Sequence, residues 1–337
     1  MARKPLRGTK QGRTIRAPSG RPDRGGAEHS SLLDGSPLCF PLRRFEIARI
    51  HSLACRGKLL VLLAPRHLIF TSLDGALLDS RGGFAEAEEA LVELARHQVP
   101  LILVTHRTRA ELDPIRRKMG HNHPFITEGG GGIFFPDGYL NIRIPGAERI
   151  GRYLGVVLGR PYEEVCTELD EMAEECGVGV AGFHHMKLRE ISDNTGLRQN
   201  DAELARDREF DEPFYFTSAD EKAIARFVEL AKQRGFTVRP DNVFWHISSG
   251  CDAARAVRML TQLFREATRN KLRVVGIASS AENPSWFRAV DHAVLLSSPD
   301  AESDASETGD TRDTTSRTTL DTAGPAGWNN AILNIIS

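Results

Sequence analysis

Residues 67–80, HLIFTSLDGALLDS, decide the fold. Apolar side chains run together through Phe70, a small polar pair follows, and Leu73-Asp74-Gly75-Ala76-Leu77-Leu78-Asp79 carries a glycine where the chain must reverse. Such a run reads as a buried strand ending in a tight turn. Ligands of open α/β sheets sit beyond the carboxyl ends of the strands. Ser72, Asp74 and Gly75 are therefore expected at the working end.

Downstream, residues 84–97 set Ala87, Leu91, Leu94 and Ala95 on one helical face and glutamates elsewhere. Residues 99–104, VPLILV, are a wholly apolar run and read as a second parallel strand reached by that helix. Its polar tip, Thr105-His106-Arg107-Thr108, should lie beside the first, with Thr108 capping a helix over 109–119. Residues 124–139 follow as a strand, four successive glycines and another strand. Glycine runs bring backbone amides near anions, although most are simply turns. A helix is predicted over 163–176, then strand, helix, strand and strand across 214–247, a helix over 254–268, and buried strands at 273–278 and 290–296.

Composition excludes some functions. The chain of 337 residues has 40% hydrophobic content and a formal net charge of −1, which gives no global attraction to nucleic acid or anionic membrane. No apolar run is long enough to span a bilayer. Cys39, Cys55, Cys166, Cys176 and Cys251 are scattered, odd in number and without a Cys-x-x-Cys pair, so they read as reduced thiols of a cytoplasmic protein. Residues 1–35 mix Arg and Lys with Gly, Pro and Ser and read as a disordered basic arm. A solvated tail is favoured there over a nucleic-acid arm or transit peptide, and residues 36–65 show no clean period.

Several segments together resemble the mannosyl-3-phosphoglycerate phosphatase family of the haloacid dehalogenase (HAD) superfamily. Ser72-Leu73-Asp74-Gly75-Ala76-Leu77 stands where the family has Asp-x-Asp-Gly-Thr-Leu, and Thr127-Glu128-Gly129-Gly130-Gly131-Gly132-Ile133-Phe134 resembles its Thr-Glu-Asn-Gly-Gly-Gly-Ile-Phe, with Gly129 for Asn. Residues 202–214, AELARDREFDEPF, resemble the cap signature. Gly324-Pro325-Ala326-Gly327-Trp328-Asn329 resembles the closing motif. The resemblance implies an α/β protein with a HAD-like Rossmannoid parallel-sheet core and an inserted α/β cap of type C2B. The expected division is core over 66–145 and 248–337, cap over 146–247, and a flexible polar excursion over 297–322.

In that family the first Asp attacks phosphorus and the second serves as acid and base. Here Ser72 takes the nucleophile position and Asp74 retains the second. Around Gly250, residues 248–257 match Gly-Gly-x-Asp-Lys-Gly-Lys-Ala-Val, with Ala253 where a Lys steadies the phosphoryl group. Gly276-Ile277-Ala278-Ser279-Ser280-Ala281-Glu282-Asn283 matches Gly-Leu-Gly-Asp-Ser-Pro-Asn-Asp, so Ser279 and Asn283 replace magnesium carboxylates. The resemblance assigns Thr105, Arg107, Gly129, Arg206, Arg208 and Gly250 to phosphate and substrate, and Ser72, Asp74, Ser279 and Asn283 to Mg2+, whose binding should be weak or lost. The expected function is capture of a small phosphorylated sugar or glycerate with little or no hydrolysis. An active phosphatase with rebuilt chemistry and a non-catalytic scaffold are the alternatives, the protein partner of a scaffold being unknown.

Overall fold

The computed structural model describes residues 66–139, 143–241, 244–268, 271–280, 282, 284–297 and 315–337. The basic arm, residues 36–65, Asn283 and most of the polar excursion lie outside the described residues. The first part of the core is β1 (His67–Ser72), α1 (Glu88–Arg96), β2 (Leu101–Val104), α2 (Arg109–Met119), β3 (Phe125–Thr127), β4 (Gly132–Pro136), β5 (Glu148–Ile150) and β6 (Tyr153–Val157). The cap follows as α3 (Tyr162–Cys176), β7 (Gly179–Gly182), α4 (Leu188–Thr195), α5 (Gln199–Arg206), β8 (Asp211–Ser218), α6 (Glu221–Gln233), β9 (Thr237–Pro240) and β10 (Trp245–Ser248). The chain returns to the core through α7 (Ala253–Thr268), β11 (Arg273–Ser279), β12 (His292–Leu296), β13 (Ser316–Leu320) and α8 (Gly324–Ile336).

The core is a nine-stranded sheet in the order β13-β12-β11-β1-β2-β3-β4-β6-β5. It is parallel from β13 to β3 and antiparallel beyond. The first strand lies in the middle because both its faces are buried, as its unbroken apolar run requires. Ile69 packs with Leu91, Leu94 and Trp328 on one side, and Leu68 and Phe70 with Val257, Leu260 and Phe264 on the other. Trp328 is fully buried, and its Nε1 donates to Thr71 Oγ1 at 2.9 Å. The closing motif thus fixes the terminal helix to the strand that carries the site.

Two expectations change. Residues 146–157, assigned to the cap on sequence grounds, hold β5 and β6, which extend the large sheet as an antiparallel hairpin beside β4. The glycine run reverses the chain after β3, and its hydrogen bonds then favour local hairpins over a crossover. Within the expected flexible excursion, Ser316–Leu320 pairs in parallel with β12. Its Ser, Arg and Thr side chains are exposed at the sheet edge, so no apolar alternation announces it. In the cap, α3 and α6 cover a four-stranded sheet, β7-β8-β10-β9, through Leu169, Met172, Phe214 and Phe227. No described helix is long and apolar enough to cross a membrane.

Candidate active site at the strand tips

β1 delivers Ser72 at its carboxyl end, 1% exposed, with its hydroxyl beside the Glu282 carboxyl. The turn beyond it closes through Leu78 N–H donating to the Leu73 carbonyl at 2.8 Å. Gly75 sits at φ 68°, and a Cβ there would stand 3.2 Å from that of Ser279. Glycine is needed both for the left-handed backbone and for this approach. Ser279, the last residue of the neighbouring β11, therefore borders the Ser72–Asp74 turn.

Asp74 is turned outward. Arg107 donates to both its oxygens, Nε to Oδ2 at 3.0 Å and Nη2 to Oδ1 at 2.6 Å, the bidentate geometry that binds carboxylates most firmly. Thr105 Oγ1 accepts from Arg107 N–H at 3.1 Å, while Thr108 caps α2 in a reciprocal box with Glu111. The two threonines thus divide as expected between the strand tip and the cap. Gly129 and Gly130 are both left-handed, and a Cβ on Gly130 would come within 2.3 Å of Ala253 N. The glycine run is there to let the start of α7 close in, which sets Ala253 and Gly250 beside Gly129 and Thr105.

Thr105, Gly129, Gly250 and Ala253 open onto a cleft of about 730 Å³, also lined by His106, Arg239, Arg255, Glu282 and Arg288, and Ser72 and Asp74 border it beside Glu282. Arg239 Nη2 donates to His106 Nδ1 at 3.0 Å. Burial, and Arg239 beside it, push His106 down to about 4, so its ring is neutral at pH 7. The Glu282 side chain stands partly open to solvent, yet its carboxyl is crowded against Ser72 and Asp74. Desolvation raises it to about 7, with Asp74 adding to the rise and the Ser72 hydroxyl and Arg239 opposing it. Cys251 is also in the lining, and burial pushes its thiol up to about 12.

Of the residues assigned to substrate, Arg206 is exposed at the end of α5 and does not line the cleft. Arg208 is buried at the entry to the cap and paired with Asp211, and it also donates to the carbonyls of Ala205, His106 and Asp211. Glu128 completes this junction, 3.9 Å from Arg208, its carboxylate accepting from the backbone N–H groups of Glu209, Phe210 and Asp211. Burial raises Glu128 to about 7. Burial would raise Asp211 too, but Arg208 and His246 outweigh it and hold that carboxyl well below the usual range.

The donors that the resemblance assigns to magnesium are mostly neutral here. That ion takes one or two carboxylates with phosphate and water. Ser72 and Ser279 offer only neutral hydroxyls and both Asp74 oxygens are engaged by Arg107, so the Glu282 carboxyl beside them is the other acid that could meet an ion. Sequence reading missed His106, Arg239, Arg255, Glu282 and Arg288. Only Glu282 left a signal, an acid within the loop whose flanking position had lost one.

The central parallel sheet, the strand-tip cleft and the inserted cap define a HAD-like α/β hydrolase fold. A haloacid dehalogenase-like hydrolase from Bacteroides thetaiotaomicron superposes with a TM-score of 0.52 at 16% identity, over 80% of this chain and 99% of that one. A HAD-superfamily phosphatase of the same organism gives 0.53 at 14% identity, over 83% and 98%. No protein-family model matches the chain. The glucosyl-3-phosphoglycerate/mannosyl-3-phosphoglycerate phosphatase of Methanococcoides burtonii is 33% identical over 272 residues, covering 80% of this chain and 97% of the relative. The corresponding enzyme of Persephonella marina is 34% identical over 231 residues, 68% and 84%, and the mannosyl-3-phosphoglycerate phosphatase of Pyrococcus furiosus 29% over 232, 68% and 90%. The chain belongs to the mannosyl-3-phosphoglycerate phosphatase family.

Proposed function

We propose that the cleft binds a phosphorylated glycerate or sugar–glycerate anion and that the chain does not run magnesium-dependent hydrolysis through an aspartyl phosphate. The observation that carries this reading is Ser72, a buried hydroxyl where an attacking carboxylate would stand. A serine cannot form an acyl phosphate and needs a base to attack at all. Arg239, Arg255 and Arg288 supply positive charge to a cleft that Glu128, Asp211, Asp252 and Glu282 also line, Arg239 standing 3.8 Å from Asp211. The purified full-length chain, given mannosyl- or glucosyl-3-phosphoglycerate with Mg2+, is expected to release no phosphate above background while calorimetry registers binding. Turnover abolished by Ser72→Ala would overturn the inactive reading. A flat titration with every such anion would overturn the binding reading and favour a scaffold.

Glu282 supports a second reading, rebuilt chemistry. Ser72 Oγ would attack phosphorus as its proton passes to the Glu282 carboxylate. The P–O bond to the glycerate would break, the leaving oxygen would take a proton from water, and a second water would then hydrolyse the phosphoserine. Peptide mass spectrometry after rapid quench tests it: phosphate on Ser72 that vanishes in Glu282→Gln supports this route, and its absence excludes it.

A further inference from the structure

One face of α3 presents Tyr162, Cys166 and Asp170 at successive turns. Against it stand His184 and His185, in the turn that follows β7, and Glu212 on β8. Glu212 is fully buried. Its Oε2 accepts from Tyr162 Oη at 2.6 Å, and its Oε1 accepts from the His184 backbone N–H at 3.1 Å and lies 2.7 Å from His184 Nδ1. Cys166 Sγ, a His184 nitrogen and a Glu212 oxygen all fall within 4.8 Å of one another. The other ring nitrogen of His184 is 3.3 Å from Asp170 Oδ2, and the second oxygen of Asp170 is 3.4 Å from His185 Nε2.

We propose that the cap holds a zinc-class divalent ion on Cys166 Sγ, His184 Nδ1 and the Glu212 carboxylate, with Asp170 as the positioning residue behind the imidazole. Thiolate, imidazole and carboxylate are the donors that zinc selects, and three protein ligands with one open position is an established coordination pattern. A ligating histidine usually gives its other ring N–H to a carboxylate, which is the place of Asp170. Charge fits as well. A thiolate and a carboxylate balance a doubly charged ion, so a cluster containing a fully buried acid carries no net charge. Binding displaces the thiol proton and the ring proton shared with Glu212, and both leave to solvent. The backbone is shaped for the acid, since a Cβ on Gly182 would sit 2.2 Å from Glu212 Oε1. None of these residues lines the substrate cleft, so the site stands apart from the function proposed above.

The test uses the full-length chain stripped with chelator. Titration with Zn2+ should reach about one ion per chain, and Co2+ should give the near-ultraviolet absorption of a cobalt–thiolate bond. Zinc should protect Cys166 from alkylation, mapped by peptide mass spectrometry, while Cys176 and Cys251 keep reacting as before. Asp170→Asn, at an exposed position, should weaken affinity about 10- to 100-fold without loss of folding. Cys166→Ser should remove the cobalt–thiolate band. A flat zinc titration, or protection of Cys166 that is absent in the folded wild-type chain, would overturn the proposal and leave a hydrogen-bonded cluster only.

Discussion

Two polar regions border the same cleft, and they are built on opposite terms. At the strand tip, Ser72, Ala253 and Ser279 are uncharged and the single retained aspartate faces Arg107 at the surface. At the entry to the cap, Arg208, Asp211, Glu128 and His246 are packed into one ionic network with almost every oxygen engaged. A site kept for chemistry holds charge where a substrate can use it, whereas a joint holds charge where only the protein can. On the function proposed above, the first kind has been given up and the second retained. With Ser72, Ala253 and Ser279 all neutral, none of these three positions buries an unpaired charge.

The sharpest way to break this contrast is to restore the tip. Ser72→Asp, Ala253→Lys, Ser279→Asp and Asn283→Asp combined should raise magnesium-dependent phosphate release by about a thousandfold or more, since each such group is worth about 2–4 kcal/mol in the transition state. A phosphate-release assay checks it, and an inert variant would mean that the framework as well as the charges has changed. At the joint, Arg208→Ala should cost about 3–5 kcal/mol in denaturant unfolding, because it strands two buried carboxylates. A smaller loss would mean water fills the place of the guanidinium. Beneath the tip, Trp328→Phe keeps most of the packing but removes the donor to Thr71, for about 1–3 kcal/mol in the same measurement.

The smallest effect concerns Glu282. Below about 7 its carboxyl is neutral and above it is charged, so anion binding in the cleft should weaken as pH rises through that value. Sulfate, which does not titrate there, is the suitable probe. Its affinity by calorimetry should fall roughly three- to tenfold across the transition, as for one solvent-screened charge at close range. Glu282→Gln should make the profile shallower, the remaining slope coming from Glu128, which lines the same cleft and is also raised to about 7.

The sequence made the central sheet legible because strands buried on both faces are unbroken apolar runs, as in VPLILV and RVVGIA. It could not reveal Ser316–Leu320, whose residues meet solvent at an edge. Nor could it reveal the joint. Residues 206–212, RDREFDE, carry the pattern of a solvated helix face, and only the fold brings Glu128 and His246 to them and turns Asp211 and Glu212 inward on a strand. Glu282 reaches Ser72 through the β1–β11 pairing, which joins segments some two hundred residues apart. Short-range pattern holds no trace of such a meeting. The place of Ser72 at the strand tip was readable from Ser72-Leu73-Asp74-Gly75, since a tight turn after a buried strand fixes it, whereas its reading as the nucleophile position rests on the family resemblance.

Glu128 fastens the entrance of the cap by gripping three consecutive peptide amides. A clasp made on main-chain hydrogens is indifferent to which side chains those residues carry, so the segment can diversify without loosening it. Proline, having no hydrogen to offer, is the substitution that evolution could not accept at Glu209, Phe210 or Asp211.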